Sequence, residues 1–407
     1  MAWRPIQEIF VLSAKDFSPP LYYIVLKVWM VVFGSDVIAT RSLSLLCFAL
    51  TLFVMHEILV IHFKVKIRKA LPLVLFFGVL NPLLMYYAFE TRGYSMFAFF
   101  ATLAWYAYLR GRRVLYTLAS LLGLFTHYFM ALVIGTHMLM SVCQIHPSWT
   151  PRQFIRQILA IAAPFSGWIC FVLTQKDPQT VHSFWIMKPN IHQLIDLPSF
   201  VLLGAEPNVG FDYYALPGSL LLYSCTFIAY MHARRNNHKS LGLILWWLLP
   251  TFLVFVMSLF TTSLYLSRYL IFATVGIILM ICYLLAKIQP LWRVVVFVLC
   301  GVMMITFLRL QLTGYVKEDI AGKVEKIKKL AKPGDELWLR DEMNFHTAQY
   351  YWFHPNDVKI IGKPYAEIPA YVGKVLIPET ATKSLYAHPR NRDAYLLETK
   401  QKVSFRF

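Results

Sequence analysis

The sequence predicts an all-helical polytopic membrane bundle of about ten transmembrane helices, followed by a small C-terminal α/β domain. Three observations predict it. Of 407 residues, 58% are hydrophobic and only 15% charged, with a mean hydropathy of +0.55; soluble domains carry nearer about 25% charged residues. Apolar runs of roughly 17–25 residues recur through the first three-quarters of the chain, the length a helix needs to cross hydrocarbon. From about residue 311 the composition turns polar, and helix-like and strand-like periods alternate. The net charge of +18 does not indicate nucleic acid, because the basic residues sit in short clusters between apolar runs, as cytoplasmic loops require. The six cysteines (Cys47, Cys143, Cys170, Cys225, Cys282 and Cys300) all lie in apolar segments without CxxC or Cys/His spacing, and read as small core residues.

Residues 1–37 form an outward juxtamembrane segment. Within it, "PLYYIVLKVWMVVF" at 20–33 is too short to span and carries Lys27, so it reads as a helix lying on the membrane surface. Residues 38–310 form the bundle. Ten candidate spans follow in order, at about 38–61, 70–88, 93–109, 114–126, 128–145, 153–174, 215–232, 241–261, 268–286 and 291–309; the fourth is the shortest. "HFKVKIRK" at 62–69, "RGRR" at 110–113, Arg152 with Arg156, "HARRNNHK" at 232–239, and Lys287 with Arg293 make every second connection basic. Those connections face the cytoplasm. The connections at 89–92, 126–127, 175–214 and 262–267, and both chain ends, then face outward. This parity exports the start of the chain with no signal peptide or span before it, which implies a missing first helix.

Residues 311–407 read as a soluble domain on the outer side. "VKEDIAGKVEKIKKLAK" has helical period, and "PGDELWLR", "DVKIIG", "GKVLIPE" and "KVSFRF" read as short strands. Helix and strand alternate as in a small α/β layer. The domain has no Gly-rich phosphate loop and no triad, and reads as a lid or docking domain.

The ionisable residues of the bundle gather at one depth. Glu90 and Arg92 share a short outer turn, "YYAFETRGYS", where positive charge is normally scarce. His127 occupies another in "LFTHYF". Arg268 in "SLYLSRYLIF" and Arg41 in "ATRSLSLL" begin spans from the outer side, and Asp16 precedes the Pro-Pro pair of "KDFSPPLYY". Charges near a membrane are costly and mark function, and a transporter would show them near the midplane. A site at the outer boundary suits a lipid whose anionic head stays at the surface, with transfer of the head group as the chemistry. A carboxylate takes the proton of an incoming hydroxyl, the part open to Asp16 and Glu90. Guanidinium groups hold the departing phosphate, the part open to Arg92, Arg268 and Arg41. Simpler roles stand beside these: an interfacial Glu90–Arg92 pair, a snorkelling Arg268, a turn-capping Asp16, and a packed His127. Tyr86, Tyr87 and Tyr94 fit the aromatic belt of a membrane protein.

In their order, "DFSPPLYYIVLKVWMVVFG" with "ATRSLSLL", "YYAFETRGYS", "FTHYF" and "SRYL" resemble the D-x-H-P-P-L-Y-Y, E-x-R-x-Y, T-H-Y and late R-Y elements of the GT-C glycosyltransferases. The branch is that of family 39 and the Rgt-type enzymes, with the protein O-mannosyltransferases and the lipid A aminoarabinose transferase. The resemblance covers nearly the whole chain. It implies an inverting transferase that moves a sugar from a polyprenyl-phosphate donor to a glycan, lipid or protein acceptor outside the plasma or inner membrane, with no nucleic-acid partner. It further implies catalytic parts for Asp16, Glu90 and His127, and contacts to the lipid phosphate or sugar from Arg92, Arg268, Tyr94, Ser18 and Arg41. No cofactor is required; the family accommodates a divalent metal, but no metal-binding motif supports one here. Two departures stand out. The chain starts after the position of the family's acidic first outer loop. Ser18 stands where the family has His, and Ser neither carries charge nor ligates a metal as well. The rival readings are a lipid-linked-sugar flippase and an inactive, truncated member of the family. The loop 175–214, with Glu206 and Asp212, is a candidate acceptor groove or a packed cover.

Overall fold

The computed structural model describes residues 1–16, 18–145, 149–175, 186–204, 211–235, 240–314, 318–384 and 393–397. The chain divides near residue 315 into two compact units.

The helical unit opens with two short helices, α1 (Ile6–Lys15) and α2 (Leu21–Phe33). The second lies where the surface helix is predicted. It buries Tyr22 and Leu26 and leaves Val28, Val31, Val32 and Phe33 exposed, the two-faced habit of an interfacial helix. The first was not anticipated. Asp36 then caps α3 (Val37–Glu57), its carboxylate accepting from the N–H groups of Ile38 and Ala39, which satisfies two of the otherwise orphaned donors of the first turn. A π-helical turn, Ile58–His62, follows directly.

The predicted span at 70–88 is instead a bent pair, α4 (Ile67–Val79) and α5 (Pro82–Ala88), meeting at 74°. The cause is local. Asn81 caps α5 by accepting from Leu84 N–H, and Pro82 at the first helical position has no N–H to continue the preceding ladder. Then come α6 (Tyr94–Leu109), α7 (Arg113–Thr126), α8 (Met130–Val142) and α9 (Pro151–Gln175). Within the segment predicted as an outer loop lies α10 (Gln193–Leu203), whose residues 197–203 are all buried. Asn81 Nδ2 donates to Leu202 O at 2.7 Å and Thr274 Oγ1 to Val201 O at 2.6 Å. Two terminal carbonyls of α10 are thus satisfied from other helices. The unit closes with α11 (Phe211–Arg235), α12 (Leu241–Phe260), α13 (Ile271–Lys287) and α14 (Pro290–Gly314).

Every predicted span coincides with a helix or the bent pair, but the count of full-length spans is lower than ten. Among the described residues, five helices are long and apolar enough to cross a membrane, or six if the bent pair is one span. α6, α7 and α8 have 16, 14 and 13 residues; at 1.5 Å per residue the shortest reaches only about 20 Å.

The axis of the bundle is α13, apolar on all sides and buried from Ile271 to Leu285, as a helix without a polar face must be. A Cβ on Gly276 would come within 2.8 Å of Trp246 Cγ, so the missing side chain is what lets α12 lie against α13. Trp246 donates to Phe272 O and stacks on Trp105, centroids 4.3 Å apart and planes 3° apart.

The second unit contains α15 (Ile320–Lys328), β1 (Glu336–Leu339), α16 (Phe345–Tyr351), β2 (Val358–Ile361), β3 (Thr382–Lys383) and β4 (Ala394–Leu397). All strand pairs are parallel, in the order β3-β2-β1-β4, with Leu337 opposite Val358 and Tyr395. Leu337, Leu339, Val358, Ile360 and Leu397 pack with Val324 and Phe345 into one core. The α/β prediction holds in kind. One strand does not: "GKVLIPE" is a chain of 3₁₀ turns beginning at Gly373, φ 77°, and ending at Pro378, where a left-handed residue and a fixed φ break the extended run. "KVSFRF" lies outside the described residues.

Candidate active site at one rim of the bundle

The turn between α5 and α6 delivers Glu90 and Arg92. Its geometry is held from below: Ser44 Oγ of α3 donates to Glu90 O at 2.7 Å, Arg92 N–H to the same oxygen at 2.8 Å, and Ser95 Oγ to Tyr87 O at 2.8 Å. Gly93 lets the turn seat; a Cβ there would stand 3.3 Å from Tyr22 and 3.7 Å from Thr126, so α2, α7 and the turn converge on that residue.

His127 follows the last residue of α7 in extended conformation. Its ring stacks on Phe97, centroids 4.7 Å apart, with Tyr94 at 5.8 Å and Tyr269 at 5.3 Å. Phe129 N–H donates to Nδ1 at 3.2 Å, which places the proton of a neutral ring on Nε2. Burial, reinforced by the Arg268 charge, holds its pKa down at about 3. Arg268 sits in the 3₁₀ turn Ser267–Leu270 that leads into α13, its guanidinium 5.8 Å from the Tyr269 ring centre, within cation–π range.

Arg92 and Arg268 are close enough to repel. For Arg92, burial and Arg268 oppose the charge, while Tyr94, Tyr87 and Glu90 favour it, and the net shift is upward. Protein surrounds it closely enough for desolvation to matter, yet its surface is exposed, while Tyr23, Tyr94, His127 and Arg268 are half-buried. Arg92 therefore stands at the surface with crowded, half-buried neighbours around it.

Asp16 ends α1 on the same rim. Ser18 Oγ donates to its carboxylate at 3.2 Å. Burial pushes its pKa up to about 6, the Ser18 bond pulling the other way. The link from Asp16 to Arg92 is Tyr23, pushed up to about 12 by burial and then by the charge of Asp16, with a hydrogen bond to Ser18 and the nearby Arg92 charge pulling the other way. Tyr23, Tyr269 and Phe97 escaped the sequence reading, although the second Tyr of "PPLYY" is one helical turn beyond the Pro pair.

The structure therefore brings Asp16, Ser18, Glu90, Arg92, Tyr94, His127 and Arg268 to one rim. Arg41 is exposed on the first turn of α3, and no contact among the described residues ties it to the others. No three His, Cys, Asp or Glu among the described residues are grouped so as to hold a metal ion. Glu206 and Asp212 lie outside the residues whose side chains are described.

This rim crowns a polytopic membrane bundle with the GT-C fold. No family model and no curated protein matches the sequence. The solved structures that resemble it include ArnT from Cupriavidus metallidurans in the apo state, with a TM-score of 0.61 at 13% identity over 90% of this chain and 79% of that one. ArnT from the same organism bound to undecaprenyl phosphate matches with a TM-score of 0.58 at 14% identity, over 91% and 80%. At these identities the likeness shows a shared fold.

Proposed function

We propose that this protein is a membrane glycosyltransferase that moves a sugar from a polyprenyl-phosphate donor to an acceptor on the outer side of the membrane. The observation that carries the reading is the convergence of Arg92 and Arg268, like charges that oppose each other, at one rim of the bundle. An anion lying between two such cations is held by both. A neighbour of the same fold has been solved with undecaprenyl phosphate bound, an anion on an apolar tail.

In this reading the lipid phosphate lies between Arg92 and Arg268, whose planar forks meet its oxygens in pairs. His127 donates from Nε2 to the phosphate or sugar. Asp16 takes the proton of the acceptor hydroxyl as its oxygen bonds to the anomeric carbon. The bond from that carbon to the phosphate oxygen breaks, and its electron pair leaves with the polyprenyl phosphate. A base works best with a pKa near the operating pH, and the raised value of Asp16 meets that condition. Glu90 offsets the charge of Arg92 and sets its position. The sheet-bearing unit serves as a docking domain.

The test is transfer from defined polyprenyl-phosphate sugars by the purified protein. Wild type should release polyprenyl phosphate with one of them, and Arg268→Ala should lose that activity. Wild-type turnover in a well-folded Arg268→Ala would overturn the phosphate assignment.

A further inference from the structure

At the other end of the bundle, α4, α13 and α14 line an open-sided cavity of about 330 Å³, formed by Lys69 and Arg293 and by Pro72, Leu73, Leu285, Val294 and Phe297. Leu285 is 17 residues along the buried axial helix from Arg268, roughly 25 Å at helical rise. The cavity therefore lies nearly a hydrocarbon thickness from the rim that holds Arg92, and belongs to a different site.

Its chemistry is divided. The Arg293 guanidinium donates to Ile288 O at 3.0 Å, which fixes its head. Its Nε is shielded from solvent and has no hydrogen-bond partner among the described residues, a costly condition for a charged donor. Lys69 brings a second positive charge to the edge of walls that are almost wholly apolar. Beside the cavity, Leu71, Leu75 and Val298 are exposed, as side chains facing acyl chains are. An inorganic anion would satisfy the two cations and nothing else. A lipid satisfies both halves. Basic pockets between transmembrane helices on the positively charged side of a membrane bind anionic head groups, and Lys64, Lys66 and Arg68 make this the basic end of the bundle.

We propose that this cavity binds an anionic phospholipid of the leaflet opposite the candidate active site. Its phosphate lies between Lys69 and Arg293, with one acyl chain along Leu73 and Phe297. The test uses the full chain, equilibrated with phosphatidylglycerol or phosphatidylcholine, washed in detergent and weighed by native mass spectrometry. Wild type should keep one phosphatidylglycerol and no phosphatidylcholine. Lys69→Gln with Arg293→Gln should cut retention at least tenfold, and Arg68→Gln should leave it unchanged. Leu73→Trp, which fills the cavity and keeps both charges, should also lose the lipid. Size-exclusion profiles identify variants that fail to fold, and either the charge pair or the filling variant suffices. Equal retention of phosphatidylcholine, unchanged retention in the folded variants, or an equal loss in Arg68→Gln would overturn the site. So would displacement of the lipid by excess inorganic phosphate, which would mark a simple anion site.

Discussion

The imidazole of His127 lies flat against the ring of Phe97, with centroids 4.7 Å apart and planes 16° apart, while Phe129 N–H donates to its Nδ1. A ring held in this way and facing Arg268 stays neutral: its pKa is down at about 3. Its useful atom is Nε2–H, a donor. His127 is thus unsuited to act as the base, and its catalytic part is to hold a bond to an anionic group. A bond of that kind contributes about 1.5–3 kcal/mol, so His127→Phe should slow transfer roughly ten- to hundredfold. The linkage gives a second readout. Because the folded pKa lies below the unfolded value near 6.5, the unfolded chain takes up a proton that the folded one refuses. Stability attributable to this group is intact above pH 6.5 and falls progressively as pH drops toward 3. His127→Phe should lack that acid-side loss in a melting-temperature series.

Arg92 and Arg268 are predicted to act on one phosphate. Each Arg→Ala change should cost about 10²–10³ in transfer rate, the usual effect of removing one preorganised donor from developing charge. The double variant should lose much less than the product of the two, since partners in one interaction are not additive. Arg→Lys should restore charge and little activity, because an ammonium does not meet two oxygens in one plane. Multiplicative losses in the kinetics would separate the two residues into different sites.

Asp16 sets the acid limb of the rate profile. With its pKa up at about 6 by burial, activity should fall as pH drops below about 6. Ser18 Oγ bonds the carboxylate and so favours the charged form. Ser18→Ala should therefore move the limb to higher pH. Stability moves oppositely. A carboxyl whose folded pKa is raised above its unfolded value near 3.8 destabilises the fold once pH passes that range. Asp16→Asn should abolish transfer yet raise the melting temperature at pH 7, with the gain vanishing below pH 4.

Asn81 is the joint behind the rim. One side chain caps α5 through Leu84 N–H and holds α10 through Leu202 O, with no exposed surface. Asn81→Ala removes both bonds and leaves buried groups unsatisfied, at a cost of about 1–3 kcal/mol for each. Thermal unfolding should drop markedly. Asn81→Asp keeps the acceptor for the cap and loses the donor to α10, so its melting temperature should fall between the two.

The parts of this molecule that were legible in the sequence share one property: they repeat or sit at a boundary. Apolar runs ended by basic clusters located the ten helical segments, and the turn motifs located Arg92, His127 and Arg268. What was hidden depends on contacts between distant residues. The bend at Asn81 needs the cap and Pro82 to outweigh an apolar run that reads as continuous. Helix α10 is held by Asn81 and Thr274, some 120 and 70 residues away in the chain. Tyr23 carries no local signal, because only folding brings it near both Asp16 and Arg92. Arg41 shows the converse: a matching motif position whose side chain stands exposed, with no contact to the converged group among the described residues.

Sidedness is the prediction on which the transfer reading turns. The connections at 89–93, 127–129 and 267–269 meet at one end through the contacts of Tyr94, His127 and Tyr269. Phe63, His232 and Tyr283 meet at the other, beside the basic clusters. The charge bias predicts that the basic end faces the cytoplasm. In a background with the six native cysteines replaced, Thr262→Cys is exposed at the first end and Lys66→Cys at the second. A membrane-impermeant maleimide should label the first in intact cells and the second only after permeabilisation. Added polyprenyl phosphate should slow labelling of Thr91→Cys, beside Arg92, and leave Lys66→Cys untouched. Labelling of position 66 in intact cells would place the arginine rim in the cytoplasm, where an exported acceptor never arrives.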